Sequence, residues 1–358
     1  MGAMRIAILY NHDFDLDHDP GREAREDVAN VARSLHDALA TSTTLRPELV
    51  PVGTDPFEAL GRLFREPPDA AINLCESLCG DARGEAIVPG LLDLAGIPYT
   101  GSSALALGLA LHKPKAKEVL RARGVPTPDW VEVDDPAQLE SLALPFPLIV
   151  KPSREDASSG IDVGSVVWDR AALVERGTHV IRTYRQSALV ERYIAGREIY
   201  VPLLGSPVRA LPLSEIDFDE LPNELPRIIT YAGKWEPESV ECRCTPSVAS
   251  DLSGPLAAQV TAVAMAAFRA LECRDYGRVD LRLAEDGTPF VIDINPNCDL
   301  SPTAGFAKAA ERGGLTYTQL ALELVQVARR RHGLATAAAG RPTAPRPDAR
   351  GDRAVHVG

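Results

Sequence analysis

Three polar side chains late in the sequence, with an arginine beside them, have the types and spacing to hold a divalent cation. They lie in Gly277-Arg-Val-Asp-Leu-Arg-Leu-Ala-Glu-Asp-Gly-Thr-Pro-Phe-Val-Ile-Asp-Ile-Asn295. Asp286-Gly287 is a strong two-residue hairpin signal. With that pair as the loop, Glu285 faces Thr288, Asp280 lies opposite Asp293, and Arg278 lies opposite Asn295. Strand alternation then puts these four on one face. Opposed carboxylates destabilise a sheet unless something neutralises them. Two carboxylates and an amide oxygen suit a hard cation that keeps water and phosphate oxygens as its other ligands, which describes Mg²⁺. A solvated polar face with Arg278 as counter-charge is the plain alternative. Val279, Leu281, Val291, Ile292 and Ile294 make the hairpin too apolar for that to be its whole role.

A second chemical signal is Lys151, which follows four apolar residues in Phe146-Pro-Leu-Ile-Val-Lys. A lysine at the end of a buried strand needs an anion. Nucleophile chemistry has no comparable signal: the seven histidines are scattered and form no Ser/His/Asp or Cys/His set. Six cysteines make neither a disulfide framework nor a zinc spacing, and reduced thiols are expected. With 38 Lys+Arg against 50 Asp+Glu, the net charge of −12 argues against a nucleic-acid or anionic-membrane surface. No apolar run approaches the ~18 residues of a membrane span, and the N-terminus does not read as a secretory signal. The expectation is a cytoplasmic protein.

The elements that must position these residues change character along the chain. Met4–Tyr10 suits a buried parallel strand, Ala24–Leu39 a helix, Asp69–Leu74 a second strand, and Ile87–Ala95 a helix stopped by Gly96 and Pro98. This alternation predicts a parallel α/β layer over roughly the first hundred residues. Lys113–Arg123 reads as a further helix. Beyond it Phe146–Pro152, Ile161–Val167, Ala188–Tyr193, Glu198–Leu204 and Val208–Ile216 read as strands. Residues 217–250 read as a long, Pro-rich active-site loop. Leu252–Leu271 and Thr316–His332 read as helices, and the Ala/Pro/Gly/Arg-rich segment from Gly333 as a disordered tail.

The hairpin and the lysines before it resemble the ATP-grasp superfamily, and within it the D-alanine–D-alanine ligase family. Carrying segments are Gly90-Leu-Leu-Asp-Leu-Ala-Gly-Ile-Pro-Tyr-Thr-Gly-Ser102, Phe146-Pro-Leu-Ile-Val-Lys-Pro-Ser-Arg-Glu155 and Leu189-Val-Glu-Arg-Tyr-Ile-Ala-Gly-Arg-Glu198, in a likeness spanning roughly residues 4–330. The resemblance implies an α/β (α+β) protein of ATP-grasp fold. Its parts are an N-terminal parallel α/β domain (4–112), a central subdomain (113–188) and a C-terminal subdomain (189–332), the last two clamping ATP, before the tail (333–358). It implies that Lys113 and Lys151 contact the ATP phosphates and that Glu191, Tyr193 and Ile194 line the adenine hinge. Glu198 would bind the ribose hydroxyls. Lys234 would be a phosphate-contacting lid lysine, and Ser158 would belong to the catalytic phosphate loop. Asp280, Asp293 and Asn295 match the family's magnesium ligands, with Mn²⁺ as a substitute, and Arg278 the arginine that stabilises a tetrahedral intermediate. The implied partners are ATP and small amino-acid-like substrates, without nucleic acid or membrane. The family commonly dimerises, which carries the expectation of a homodimer.

Departures from the family pattern concentrate where substrates would bind. Ala157 replaces a serine of the phosphate loop, Trp235 a tyrosine beside the lid lysine, and Cys79-Gly80 a His-Gly pair. A Gly-rich N-terminal loop with a substrate-anchoring glutamate is missing, and either Glu23 or Glu26 could take that role. Asp299 stands at a glycine, and Ala304 at a serine that grips the acceptor carboxylate; losing such a partner costs ~1.5–3 kcal/mol of binding. Three readings follow. The first is an ADP-forming carboxylate–amine ligase with its own amino-acid or peptide substrates. The second is an authentic D-alanine–D-alanine ligase of peptidoglycan synthesis. The third is an ATP-binding protein without turnover, against which the intact Lys151, Arg278, Asp280, Asp293 and Asn295 argue.

Overall fold

The computed structural model describes residues 2–12 and 22–338, and within the terminal turns of two helices leaves the side chains of 22–26 and 334–338 aside. The first layer is built from β1 (Met4–Asn11), α1 (Arg22–Ala40), β2 (Leu45–Val52), α2 (Pro56–Arg65) and β3 (Ala70–Asn73). Its strands are parallel in the order β2-β1-β3. The Ile6/Ile8 side of β1 packs on Leu35 and Leu39 of α1, so strand alternation and helix period meet in one core. Next come α3 (Ile87–Ala95), α4 (Ala104–Leu111) and α5 (Lys113–Ala122). Gly96, at φ 65°, ends α3 as expected of a glycine stop.

A smaller antiparallel sheet follows, ordered β4-β7-β5-β6: β4 (Trp130–Val133), β5 (Leu148–Pro152), β6 (Val166–Val167) and β7 (Ala188–Arg192), with α6 (Arg170–Tyr184) across it. The strand expected over Ile161–Val167 shrinks to two residues. Asp162 instead caps a short 3₁₀ turn, its side chain accepting from Gly164 N while Ser165 Oγ accepts from Asp162 N. This local alternative outcompetes the ladder. The sheet has its own core of Leu148, Val150, Leu173, Val180 and Val190.

The larger antiparallel sheet is built from β8 (Arg197–Gly205), β9 (Val208–Ala210), β10 (Ser214–Ile216), then α7 (Tyr231–Trp235), α8 (Val240–Cys244), β11 (Ser247–Ala249), α9 (Gly254–Ala270), β12 (Asp275–Leu283) and β13 (Pro289–Asn295). Its order is β11-β10-β8-β12-β13, with β9 on β8. The strand expected over Val208–Ile216 is broken in two around Pro212, which has no N–H to give a ladder. Residues 217–250, expected as one loop, hold the two short helices and a strand. The chain closes with α10 (Gly305–Arg312) and α11 (Tyr317–Ala338). The last helix runs past His332 to Ala338; residues 339–358 of the expected tail lie outside the described residues. Leu320, Leu324 and Phe306 pack with Ile6, Ile8 and Ile72, so the chain's end rejoins its first sheet. No helix among the described residues is long and apolar enough to cross a membrane.

Candidate active site

A cleft of about 1420 Å³ opens between the two antiparallel sheets, with the ends of the parallel layer closing one side. Lys113, Lys151, Ser158, Glu191, Tyr193, Ile194, Glu198, Lys234, Arg278, Asp280, Asp293 and Asn295 all line it. The hairpin β12-β13 supplies its floor. Asp280 pairs with Asp293 and Arg278 with Asn295, the expected register. The turn that sets this register differs from expectation. Ala284 pairs with Thr288, so the loop is Glu285–Gly287, with Gly287 at φ 82°. A bulge at Ile292 then restores the frame, because the partners shift by one between Asp280 and Leu281.

The floor is charged and internally paired. Arg278 grips Asp280 with Nε–Oδ1 2.7 Å and Nη2–Oδ2 2.8 Å, and Asn295 Nδ2 donates to Asp280 Oδ2 at 3.0 Å. Lys113, at the start of α5, reaches Asp293 at 3.1 Å and Asp156 at 3.2 Å. Burial opposes its charge, but these carboxylates outweigh burial and hold the ammonium above its ordinary range. Under the smaller sheet, Lys151 and Lys117 each lie 2.6 Å from one oxygen of Glu191. Burial would push the Glu191 carboxyl up; the two lysines pull it down to about 2. Lys117 was not singled out in the sequence, although it lies four residues after Lys113, on the same helix face.

Tyr193, Ile194 and Glu198 lie where β7 turns into β8, and all three bond to Arg282. Arg282 was also missed. Continuing the alternation from Arg278 and Asp280 would have found it. Above the floor, a loop meets the short helix α7. Ala157 and Ser158 take left-handed φ values of 56° and 62°, and Trp235 Nε1 donates to the Ala157 carbonyl at 3.0 Å. Lys234 lies beside that indole, Nζ 5.0 Å from the ring centre.

Glu76, Cys79, Glu85, Asn297, Asp299 and Ala304 also line the cleft. Asn297 is held by Tyr276 Oη at 2.8 Å and donates to Glu85 Oε1 at 3.1 Å. Burial, with Asp156 adding to it, pushes the Glu85 carboxyl well up. Residues 13–21 and the side chains of Glu23 and Glu26 lie outside the described residues. Glu76 and Glu85 are described glutamates of the cleft, and sequence spacing gave no hint of either.

Among the described residues no three His, Cys, Asp or Glu side chains gather as a metal site. The hairpin's donor set nonetheless fits a hard cation: two carboxylates in direct cross-strand register with an amide alongside, their charge balanced here by Arg278 and Lys113.

The chain matches the family model described as D-ala D-ala ligase C-terminus over residues 119–326, more than half its length. It is 38% identical to an uncharacterised protein of Sinorhizobium fredii over 73% of this chain and 74% of that one. It is 31% identical to a D-alanine–D-alanine ligase of Synechococcus sp. over 91% of this chain and 96% of that one. Its fold is similar to that of D-alanine–D-alanine ligase from Bacillus anthracis complexed with ATP, with TM-score 0.70, 23% identity and coverage of 93% of this chain and 100% of that one. A cleft between two antiparallel sheets, a hairpin with paired carboxylates and this set of likenesses agree, and the chain belongs to the D-alanine–D-alanine ligase family of ATP-dependent, peptide-bond-forming ATP-grasp ligases.

Proposed function

We propose that the protein is an ADP-forming ligase that joins an amino-acid or small-peptide carboxylate to an amine other than the D-alanine pair. The observation that carries this is that one cleft is lined both by the residues assigned to nucleotide and metal and by the altered positions Cys79, Ala157, Trp235, Asp299 and Ala304. Lys113, Lys151 and Lys234 neutralise phosphate charge as compact cations. Glu191, Tyr193 and Ile194 take the adenine, and Glu198 the ribose. Asp280, Asp293 and Asn295 would hold Mg²⁺, which supplies Lewis-acid neutralisation of phosphate charge. Arg278 and the Ser158 loop hold the reacting groups in line and shield them from water. Little covalent chemistry falls to side chains in such a reaction; positioning and electrostatics carry it. The substrate carboxylate takes the γ-phosphoryl group, ADP leaves, and the amine displaces phosphate from the acyl carbon.

Three units serve this chemistry in our reading, divided near 112 and 188, with the last returning to the first through α11. A homodimer working on free metabolites in the cytoplasm suits it. The test is phosphate release from Mg-ATP across single and paired D- and L-amino acids. Release with another pair and none with D-alanine is expected. Dipeptide formation from D-alanine alone would instead identify the cell-wall reaction.

A further inference from the structure

Arg282 faces the same cleft as Arg278 and Asp280 and is directly paired across strands with Glu198. It is 3% exposed, and a guanidinium so buried must have its donors matched. Nε donates to the Ile194 carbonyl at 3.0 Å, Nη1 to Glu198 Oε2 at 3.1 Å, and Nη2 to the Tyr193 hydroxyl at 3.0 Å. Nη2 also donates to the Arg227 carbonyl, which accepts from the Tyr193 hydroxyl as well. The rings of Tyr193 and Phe218 lie 5.3 Å and 5.7 Å from its central carbon. One side chain thus ties together the turn between β7 and β8, the strand β8 and the segment between β10 and α7.

We propose that Arg282 is a positioning and specificity-determining residue of the nucleotide site, aiming the Glu198 carboxylate at the sugar hydroxyls and fixing Tyr193-Ile194 beside the base. This deepens the proposed function and rests on its reading of the cleft as an ATP site. A carboxylate offers about four acceptor positions. On Glu198, Tyr200 Oη at 3.0 Å occupies one and Arg282 another, on opposite oxygens. Those two bonds fix the carboxylate plane and leave the remaining positions for a vicinal diol. The planar fork of arginine supplies these four bonds at once; lysine carries the charge on a single flexible point and cannot hold the four acceptors in one arrangement.

The test is calorimetric binding of ATP and of 2′-deoxy-ATP to wild type, Arg282→Lys and Arg282→Met, with unfolding temperatures alongside. Wild type should prefer ATP by about tenfold, the size of one charge-assisted hydrogen bond. In Arg282→Lys that preference should fall below about threefold, by the same conversion, with the unfolding temperature nearly kept. Arg282→Met should lose it too; if it fails to fold, the lysine variant decides alone. A preference retained in the variants, with both affinities lowered equally or unchanged, would reduce Arg282 to a structural counter-ion and overturn the proposal. Equal binding of the two nucleotides by wild type would also overturn it. Absence of any ATP binding by wild type would overturn the ATP reading of the cleft, and this inference with it.

Discussion

Lys151 shows how much a single buried charge can decide. It shares Glu191 with Lys117, and the three groups are nearly excluded from solvent. Two cations around one carboxylate leave one positive charge for an incoming anion. Lys151→Ala should therefore raise the ATP concentration needed for half-maximal phosphate release by roughly ten- to a hundredfold, the range of a hydrogen bond to a charged group. An unaltered ATP dependence would remove Lys151 from the site. Asp293→Asn should abolish Mg-ATP turnover while leaving the unfolding temperature within a few degrees; phosphate release at the wild-type rate would contradict the metal assignment. Glu76 makes a different kind of prediction. Burial, with Asp299, Asp156 and Asp27 adding and Lys234 opposing, pushes its carboxyl up to about 8 from 4.5. The unfolded chain loses that proton near pH 4.5 while the folded one keeps it, so stability from this group is full below ~4.5 and is lost as pH rises toward 8. Glu76→Gln does not titrate, and its unfolding temperature relative to wild type should climb between pH 5 and 8. A constant difference across that range would refute the assignment.

At the scale of elements, the hairpin β12-β13 explains both what was legible and what was not. The expected pairing of Asp280 with Asp293 holds because two departures from the simple hairpin cancel. Asp286-Gly287 fits either a two-residue loop or a three-residue loop whose last glycine is left-handed, and the chain takes the longer one. The bulge at Ile292 takes that extra residue back before the two carboxylates. No local signal announces such a bulge. Nor does local sequence place Glu85 in the cleft, because its partner Asn297 lies 212 residues away. The meeting of the phosphate loop with α7 is equally non-local: Trp235 reaches the Ala157 carbonyl across 78 residues. Trp235→Phe leaves a smaller aromatic ring at this position and removes the donor. It should speed amide exchange over residues 156–160 by roughly three- to tenfold, the size of one neutral hydrogen bond, with exchange elsewhere unchanged. Equal exchange in the two proteins would show that the contact does not hold the loop.

Over the whole molecule, the cleft keeps its shape because the chain's last helix ties the first layer to the strand that carries Arg278 and Asp280. Asp275, at the start of β12, is fully buried and takes a left-handed φ of 66°. Its carboxylate accepts from Gly101 N at 3.1 Å and from Arg331 Nε and Nη2 at 3.0 Å each. Arg331 also donates to the Tyr99 carbonyl at 2.7 Å, while the Tyr99 ring lies 5.4 Å from Arg331 and 5.2 Å from Arg274. Arg278 stands three residues beyond Asp275 on the same strand, so slack at this junction reaches the reacting face directly. Removing one partner of a buried pair strands the other charge, at a cost of ~3–5 kcal/mol. Arg331→Ala should accordingly lower the unfolding temperature by roughly 4–7 °C, at ~1.3 °C per kcal/mol for a protein of this size. Asp275→Asn in the same chain should recover part of that loss, because the stranded charge is then gone. Scanning calorimetry of wild type, both single variants and the double variant measures the coupling. If the single changes merely add, the junction is two independent contacts; if the double variant is more stable than Arg331→Ala alone, the pair is the tie that holds the layers together.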